Sequence, residues 1–232
     1  MGRATTMFGQ TLLVALVLTF CFYRETAGRR FLHFPEPANR LSWSLLETKT
    51  PDLDTFTACA WIKTIRTTSG PILSYGSKRH PRSIEISYSP HGHGYSVILN
   101  GMSVLGGYYG GEAPLPADGN WHFLCVMWSG VKRKIDVYRD GFLTLSFPVN
   151  VSHIAGGGDW VVGHTHLEAV TEGYPKYPSF VGYVGGINVW NREPVDIPGL
   201  FVCANGNEGS IISWNTVTKT NFMVATYAAS PC

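Results

Sequence analysis

The sequence predicts an all-β fold, an antiparallel β-sandwich of two sheets, and three observations carry this prediction. Apolar and polar residues alternate over short stretches between residues 55 and 190, which is the period of a half-buried strand. The dipeptides Asn100-Gly101 and Asp140-Gly141 separate such stretches, and both favour the positive φ angles of two-residue hairpin turns. No stretch places apolar residues at helical spacing over three turns. Short strands with regular turn signals favour a jelly-roll route through the two sheets.

The predicted elements follow from this alternation. Residues 56, 58, 60 and 62 are apolar and share one side of a strand, since successive side chains of a strand point to opposite faces. The only helical candidate, residues 195–202, is interrupted by Pro198, which lacks the N–H that a helix interior needs. The predicted strands cover residues 56–62, 72–75, 84–88, 95–99, 102–105, 121–128, 135–138, 142–147, 160–162, 181–190 and 211–214.

Composition excludes several classes of protein. Apolar residues make up 44% of the 232 residues and charged residues 15%, which argues against intrinsic disorder. The formal net charge is only +2, so the chain lacks the broad basic field that holds a nucleic-acid backbone. We expect no nucleic-acid partner. The chain length suits one sizeable β domain.

The first 28 residues have the three-part layout of a secretory signal peptide. Arg3 is followed by an apolar run over residues 12–23, and Ala27 and Gly28 supply small residues at the end. The run is shorter than the roughly 20 residues that span a bilayer, and no later apolar stretch reaches that length. We predict cleavage after Gly28, a domain over residues 29–232, no membrane span, and a secreted or extracellular location.

Five cysteines are present, and Cys21 lies in the predicted leader. The other four, Cys59, Cys125, Cys203 and Cys232, predict two disulfides in an oxidising compartment. Their spacing alone leaves three connectivities open. Zinc ligation would need close-set cysteine pairs, which this sequence lacks.

The segment over residues 122–129, His-Phe-Leu-Cys-Val-Met-Trp-Ser, resembles the signature of the pentraxin family through His122, Cys125, Trp128 and Ser129. Cys125 and Trp128 lie three apart on one strand, so they face opposite sides of the sheet. Residues 56–59, 75–79, 160–163 and 181–190 also resemble pentraxin segments in the family's order. The resemblance implies a two-sheet jelly roll akin to legume lectins and laminin G modules, that is, a concanavalin-like fold.

The family resemblance also implies a disulfide between Cys59 and Cys125. At the C-terminal end, Cys203, a short Gly/Asn loop, residues 211–214 and Cys232 resemble the pentraxin-like domains at the N-termini of adhesion-type G-protein-coupled receptors. Circulating pentraxins generally lack that extra cysteine pair. This finer resemblance implies a Cys203–Cys232 bridge and allows the chain to be a receptor's outermost module or a secreted form.

Circulating pentraxins bind two calcium ions, and the resemblance indicates where their ligands would fall here. The Asp-Asn pair falls on Pro81 and Arg82, and the later Glu-Gln-Asp run falls on Thr165, His166 and Leu167. Calcium needs six to eight oxygen ligands, mostly carboxylates, and the cation of Arg82 repels a divalent ion. We therefore predict no family-type calcium site and no cofactor. A weaker, altered calcium site would have to use Asp118, Glu168 and Glu172.

Two His-x-His pairs, His91/His93 and His164/His166, could chelate zinc or copper. No carboxylate or thiolate is placed to complete a tetrahedral site, so we interpret these histidines as surface-loop residues.

No nucleophile elbow, zinc-protease helix or phosphate loop occurs in the sequence, and we predict that the chain is not an enzyme. Asn150-Val151-Ser152 is an N-glycosylation triplet, which suits the predicted secretion.

Two loops concentrate tyrosines and are the predicted binding loops. Tyr108 and Tyr109 lie in a Gly-rich string, and Tyr174 and Tyr177 each precede a proline. Tyrosine offers apolar area and a hydrogen-bonding tip at little entropic cost. We expect a non-catalytic extracellular recognition or adhesion module that binds a protein or glycan through such loops and that could form homo-oligomers. The alternatives are a soluble oligomeric pattern-recognition pentraxin that depends on calcium, and a lectin-like sugar binder that needs no metal.

Overall fold

The computed structural model describes residues 30–36, 42–65, 69–89, 94–105, 115–166, 179–193, 196–202 and 208–228. Two antiparallel sheets, stacked face to face, make up the fold. The larger sheet contains β1 (Arg30–Phe34), β3 (Thr55–Lys63), β8 (Trp121–Ser129), β9 (Lys134–Arg139), β10 (Phe142–Pro148), β12 (Gly182–Trp190), β13 (Ile212–Ser213) and β15 (Ala225–Ala228), numbered in chain order. The smaller sheet contains β2 (Trp43–Glu47), β4 (Gly70–Gly76), β5 (Ile84–Ser89), β6 (Gly94–Leu99), β7 (Met102–Leu105), β11 (Asp159–Val162) and β14 (Thr218–Phe222). The predicted two-sheet antiparallel sandwich is therefore confirmed.

The order of the strands in each sheet determines which strands lie at its centre and which lie at its edges. The larger sheet runs β10-β9-β8-β3-β12-β1-β15, with β13 paired to β12, and the smaller sheet runs β14-β2-β11-β4-β5-β6-β7. The main core lies between the sheets and includes the inward side of β3, where Phe56, Ala58 and Ile62 are buried. This is the side that the alternation predicted.

Both predicted hairpins are present with the expected turn chemistry. Asn100 and Gly101 have φ angles of 48° and 77°, and Asp140 and Gly141 have φ angles of 50° and 85°. Two consecutive positive φ values are the mark of the type I′ turn, whose twist matches that of the flanking strands. The turns therefore fix the registers of β6 with β7 and of β9 with β10.

The residues of β8 divide between two cores. Trp128 is buried in the main core, and its indole N–H donates to the Val151 carbonyl at 3.2 Å. Cys125 faces the opposite side of the sheet, where it lies in a smaller cluster with Cys59 and Ile197. The two residues thus face opposite sides, as their spacing on one strand predicted.

The prediction that Pro198 interrupts the helical candidate is wrong. A short helix, α1, spans Ile197–Phe201 with Pro198 in its first turn, where a helix has no partner for the missing N–H. The Asp196 carboxylate caps it by accepting a hydrogen bond from the Gly199 N–H at 2.8 Å. The helix covers the smaller cluster on the outer face of the larger sheet.

Five strands differ from the sequence prediction. The elements β1, β2, β14 and β15 were not predicted, and the strand predicted at residues 211–214 shortens to the two residues of β13. In β14 four of the five residues are exposed, so the alternation that reveals half-buried strands is missing there. The strands β14 and β15 are edge strands of the two sheets, and β2 and β1 are their neighbours.

A disulfide joins Cys59 to Cys125, which lie directly opposite each other on β3 and β8. Replacing both by alanine is expected to lower the free energy of unfolding by about 2–5 kcal/mol, because the bridge constrains the unfolded chain. Urea denaturation of the wild-type and double-variant chains measures the difference. An unchanged denaturation midpoint would contradict a stabilising role for this bridge.

Candidate functional site

The pentraxin-like signature residues organise the end of β8. The His122 imidazole lies between two carboxylates, with Nδ1 at 2.9 Å from Asp140 Oδ2 and Nε2 at 3.2 Å from Asp118 Oδ1. The second oxygen of Asp140 accepts the Phe123 N–H at 2.8 Å. At the other end of the strand, Ser129 Oγ accepts the Lys132 N–H. These contacts hold turns in place, which is a structural role.

Asp118, one of the residues considered for an altered calcium site, is already used in this way. Its carboxylate accepts hydrogen bonds from the backbone and side-chain amides of Asn120. These bonds, with a smaller contribution from His122, lower the pKa of Asp118 to about 2. Glu168 and Glu172, the other residues of that hypothesis, lie outside the described residues.

The positions that correspond to pentraxin calcium ligands come together in part. A methyl group placed on Gly76 would lie 2.5 Å from the Pro81 oxygen and 2.9 Å from His166 Nδ1, so Pro81 and His166 converge on the end of β4. Leu167 lies outside the described residues. That these positions correspond to the pentraxin calcium ligands stays a prediction.

The described side chains at these positions do not fit calcium. The Arg82 guanidinium pairs with Glu85 through two contacts of 3.1 and 3.3 Å, so the nearby carboxylate already has a cationic partner. Pro81 offers no side-chain oxygen, Thr165 offers a hydroxyl and His166 an imidazole. Within the described ranges, no group of three or more His, Cys, Asp or Glu is placed to hold a metal ion.

The interpretation of His164 and His166 as surface-loop residues is wrong. Their exposed fractions are 1% and 2%, because the chain after β11 packs against β4, where Ser74 Oγ donates to the His164 carbonyl at 2.7 Å. His164 Nδ1 accepts the Thr165 N–H at 2.8 Å. The Pro81 carbonyl lies beside the His166 ring, yet neither ring nitrogen makes a hydrogen bond of good geometry. His91 and His93, the other pair, lie outside the described residues.

Asn150 of the glycosylation triplet is exposed and follows β10 directly. Its side-chain oxygen accepts a hydrogen bond from the Arg133 guanidinium. An exposed asparagine suits the attachment of a glycan, and its use stays a prediction. The predicted binding tyrosines Tyr108, Tyr109, Tyr174 and Tyr177, the cysteines Cys203 and Cys232, and the predicted leader lie outside the described residues.

A cluster of aromatic side chains that sequence reasoning missed lies on the outer face of the larger sheet. We call it the aromatic face, and it consists of Phe31, His33, Trp121, Tyr183 and Tyr227. The Phe31 ring is central, with centroids 5.5 Å from Trp121, 5.3 Å from Tyr183 and 5.6 Å from Tyr227. His33 stacks on Tyr183 at 4.5 Å. The sequence signal that could have revealed this face is the two-residue spacing of Phe31 and His33, which places both side chains on the outward side of β1. Tyr183 lies on the outward side of the neighbouring strand β12.

The aromatic face is accessible and has polar groups beside it. Tyr227 is 48% exposed and the other four rings are half-buried. Lys63 Nζ lies 5.9 Å from the centre of the Tyr183 ring, a cation–π distance. A pocket of about 300 Å³ opens at its edge, lined by His33, Glu36, Lys63 and Tyr183 among others. The face thus combines apolar ring surface with charged groups of both signs.

Comparison with known proteins places this geometry in a family. The chain matches the family model described as "Concanavalin A-like lectin/glucanases superfamily" over residues 39–195. It belongs to the concanavalin A-like lectin/glucanases superfamily. Pentraxin-4 of Homo sapiens is 27% identical over 163 residues, which are 67% of this chain and 33% of that protein. The other relatives include further pentraxins, and the chain spans between a third and a half of the length of the curated relatives it matches first.

Two solved structures share the fold of this superfamily member. The heptameric SAP-like pentraxin of Limulus polyphemus aligns over 88% of this chain and 97% of that chain, with a TM-score of 0.69 and 20% identity. The full extracellular region of zebrafish Gpr126/Adgrg6 aligns over 88% of this chain and 27% of that one, with a TM-score of 0.63 and 13% identity.

The homologues are pentraxins, which are non-catalytic, and the prediction that the chain is not an enzyme is confirmed. In the part of the chain that the structure describes, no helix is long and apolar enough to cross a bilayer.

Burial lowers the pKa of His166 below its ordinary value of 6.5, and the opposing effects of Asp159 and the Pro81 carbonyl do not outweigh it. The unfolded chain therefore binds a proton at higher pH than the folded chain does. We expect the free energy of unfolding to fall as the pH drops below about 6.5, by up to about 1.4 kcal/mol per pH unit. The loss from this residue ends once the pH is below the folded pKa.

Urea denaturation across this pH range measures the effect in the wild-type chain and in His166→Leu. The variant is expected to lose this part of the pH dependence. His80→Leu is the matched control, since His80 is exposed in the folded chain. Equal pH dependence in the wild-type and His166→Leu chains would contradict the assignment.

Proposed function

We propose that this chain is an extracellular, non-catalytic recognition domain of the pentraxin type, which binds a protein or glycan partner without calcium. The observation that carries the proposal is the aromatic face. Monomeric proteins rarely expose contiguous apolar patches of this kind unless they bind something. Five strands of a rigid sheet hold the rings and Lys63 in place, so little conformational entropy is lost when a partner binds.

The chemistry of the aromatic face suits recognition through contact. Tyrosine and tryptophan supply most of the binding energy in many interfaces. The Tyr183 and Tyr227 hydroxyls, the Lys63 ammonium and the Glu36 carboxylate can donate and accept hydrogen bonds around the rings. Aromatic rings bordered by such groups fit the apolar face and the hydroxyls of a sugar ring as well as a protein side chain.

The extracellular setting is supported by the family. Pentraxin relatives are secreted or extracellular, and the Cys59–Cys125 bridge needs an oxidising compartment to persist. The shared fold with one region of the zebrafish receptor ectodomain is compatible with our further proposal that the chain is an adhesion-receptor module. An immunoblot of membrane and soluble fractions with an antibody to this domain tests that setting. A large membrane-bound species supports it, and a soluble species of the size of this chain alone contradicts it.

The aromatic face is tested with the purified, fluorescently labelled chain on arrays of glycans and of extracellular protein domains. Trp121→Ala/Tyr183→Ala is expected to weaken binding to any partner found by about tenfold or more, since buried aromatic anchors dominate interfaces. Phe142→Ala is the matched control, because Phe142 is 76% exposed on β10 at the far edge of the same sheet. Equal binding by wild-type and double-variant chains, with both folded by circular dichroism, would refute the role of this surface.

The absence of a calcium requirement is tested separately by isothermal titration calorimetry. Titrating calcium into the folded chain is expected to give no binding at sub-millimolar concentration, because Pro81, Arg82, Thr165, His166 and Leu167 supply no carboxylate. Binding of two calcium ions, or loss of partner binding in EGTA, would favour the alternative of a calcium-dependent oligomeric pentraxin. Light scattering then reports whether the chain forms a ring.

A further inference from the structure

The last two strands, β14 and β15, lie at one edge of the sandwich. They are adjacent in sequence but belong to different sheets, since β14 pairs with β2 and β15 pairs with β1. A cleft of about 620 Å³ lies between them, lined by residues of both sheets and by the turn after β13. This volume is in the range of small-ligand sites. Every described residue of its lining lies outside residues 39–195, the stretch that matches the family model.

The cleft exists because polar residues occupy inward-facing positions. Thr226 is directly opposite the buried Leu32, and Lys219 is directly opposite the buried Leu46. Paired residues of neighbouring strands share a face, so Thr226 and Lys219 point between the sheets. Arg30 and Asn221 lie two residues from Leu32 and Lys219 and share that side. At these inward-facing positions a sandwich usually has apolar residues that pack together. The four polar residues here leave a cleft between the two sheets instead.

The two cations of the cleft have no counter-charge from the described residues. Among the described residues that line it are Arg30 and Lys219, and none of these lining residues is a carboxylate. None of the ion pairs formed within the described part of the chain includes either cation. The pKa of Lys219 is lowered by burial and then by the positive charge of Arg30. An anion in the cleft would relieve both unfavourable effects.

The Lys219 ammonium is held in place. Its Nζ donates to the carbonyls of Trp214 at 2.7 Å and Val217 at 3.1 Å, and it lies 4.4 Å from the centre of the Trp214 ring. An ammonium carries three N–H donors, so one more is available for a ligand. The Trp214 indole donates to the Arg30 carbonyl at 2.6 Å, which fixes the backbone of the second cation. The Lys219 charge is therefore preorganised at the cleft, and the backbone that carries Arg30 is fixed beside it.

We propose that this cleft binds an anionic saccharide, with its carboxylate or sulfate group between Arg30 and Lys219. The sugar hydroxyls would exchange hydrogen bonds with Asn215, Asn221 and Thr226, which line the opening. The Asn221 amide is held for this by accepting from Ser44 Oγ at 2.7 Å and donating to Thr226 Oγ1 at 3.2 Å, which leaves its second N–H for a ligand. Five of the eight described lining residues are polar or charged, which favours a saccharide over an acidic peptide. This site is separate from the aromatic face and does not depend on it.

The experiment measures binding to the purified chain by calorimetry, with two-dimensional NMR of the Trp214 indole N–H to locate the ligand. The probes are a sulfated heparin tetrasaccharide, a hyaluronan tetrasaccharide that carries only carboxylates, a neutral chitin tetrasaccharide and a hexaglutamate peptide. Binding by either anionic saccharide, with a shift of the Trp214 signal, is expected, and the two probes distinguish sulfate from carboxylate. Trp214→Phe assigns the indole signal.

Two variants keep the proposal falsifiable. Arg30→Gln removes a cation whose side chain makes no hydrogen bond to the described residues, and Lys219→Glu keeps an inward charge but reverses its sign. Each is expected to weaken anionic saccharide binding at least tenfold. Lys78→Gln/Arg79→Gln is the matched control, since both residues are exposed in the loop after β4, three strands from β14, and it should bind as wild type does.

Four outcomes would overturn the proposal. These are no binding by either anionic tetrasaccharide, equal binding by the neutral one, equal or tighter binding by hexaglutamate, and equal weakening by the control variant, which would indicate attraction to net charge alone. The aromatic-face variant Trp121→Ala/Tyr183→Ala should still bind the anionic saccharide. Failure of one site is therefore distinguishable from failure of the other.

Discussion

The structure depends on the pairing of β3 with β8. Nine consecutive residue pairs, from Thr55–Ser129 to Lys63–Trp121, fix these strands at the centre of the larger sheet. A shift of one residue would turn every side chain of a strand to the other face. The disulfide between Cys59 and Cys125 forbids that shift. Trp128 and Phe56 therefore stay in the main core, and Trp61 and Phe123 stay under α1.

The same register positions the surfaces that carry function. Lys63 is opposite Trp121 on one side and Tyr183 on the other, which aligns a cation and two rings across three strands. The next strand, β1, adds Phe31 and His33, because His33 is opposite Tyr183. An outward-facing row of large rings thus results from registers that the core enforces. The aromatic face is as rigid as the sheet that bears it.

Sequence reasoning predicted the centre of the fold better than its edge. Alternation and the two turn dipeptides identify β3, β5, β6 and the two hairpins, because the core between the sheets takes an apolar side chain from every second residue of each strand and each turn needs residues that accept positive φ angles. The edge strand β14 carries no such pattern, since it buries little on either side. The burial of His164 and His166 was also invisible, because it depends on how the chain folds back over β4 and not on local sequence.

The segment in which we predict no pentraxin-type calcium site carries a buried ion pair. Glu85, which is 6% exposed, would be costly to bury without a cation, and Arg82 supplies one through a two-contact ion pair. Replacing Arg82 by a neutral residue would leave that carboxylate without its cationic partner. Building a calcium site from these positions would therefore need several coupled changes, in the 81–85 segment and at residues 165–167 together.

Inward-pointing charges on edge strands have a second established role, since they discourage edge-to-edge pairing between molecules. That role can apply to Lys219 on the edge strand β14, but Arg30 lies on β1, which is paired with β12 on one side and β15 on the other. The chain nevertheless places both cations on the same cleft, where the charge of Arg30 lowers the pKa of Lys219, and it holds Lys219 with two carbonyls and an indole ring. Like charges that share a cleft repel each other, and an anion bound there would relieve that repulsion, which is why we favour ligand binding over edge protection as the explanation.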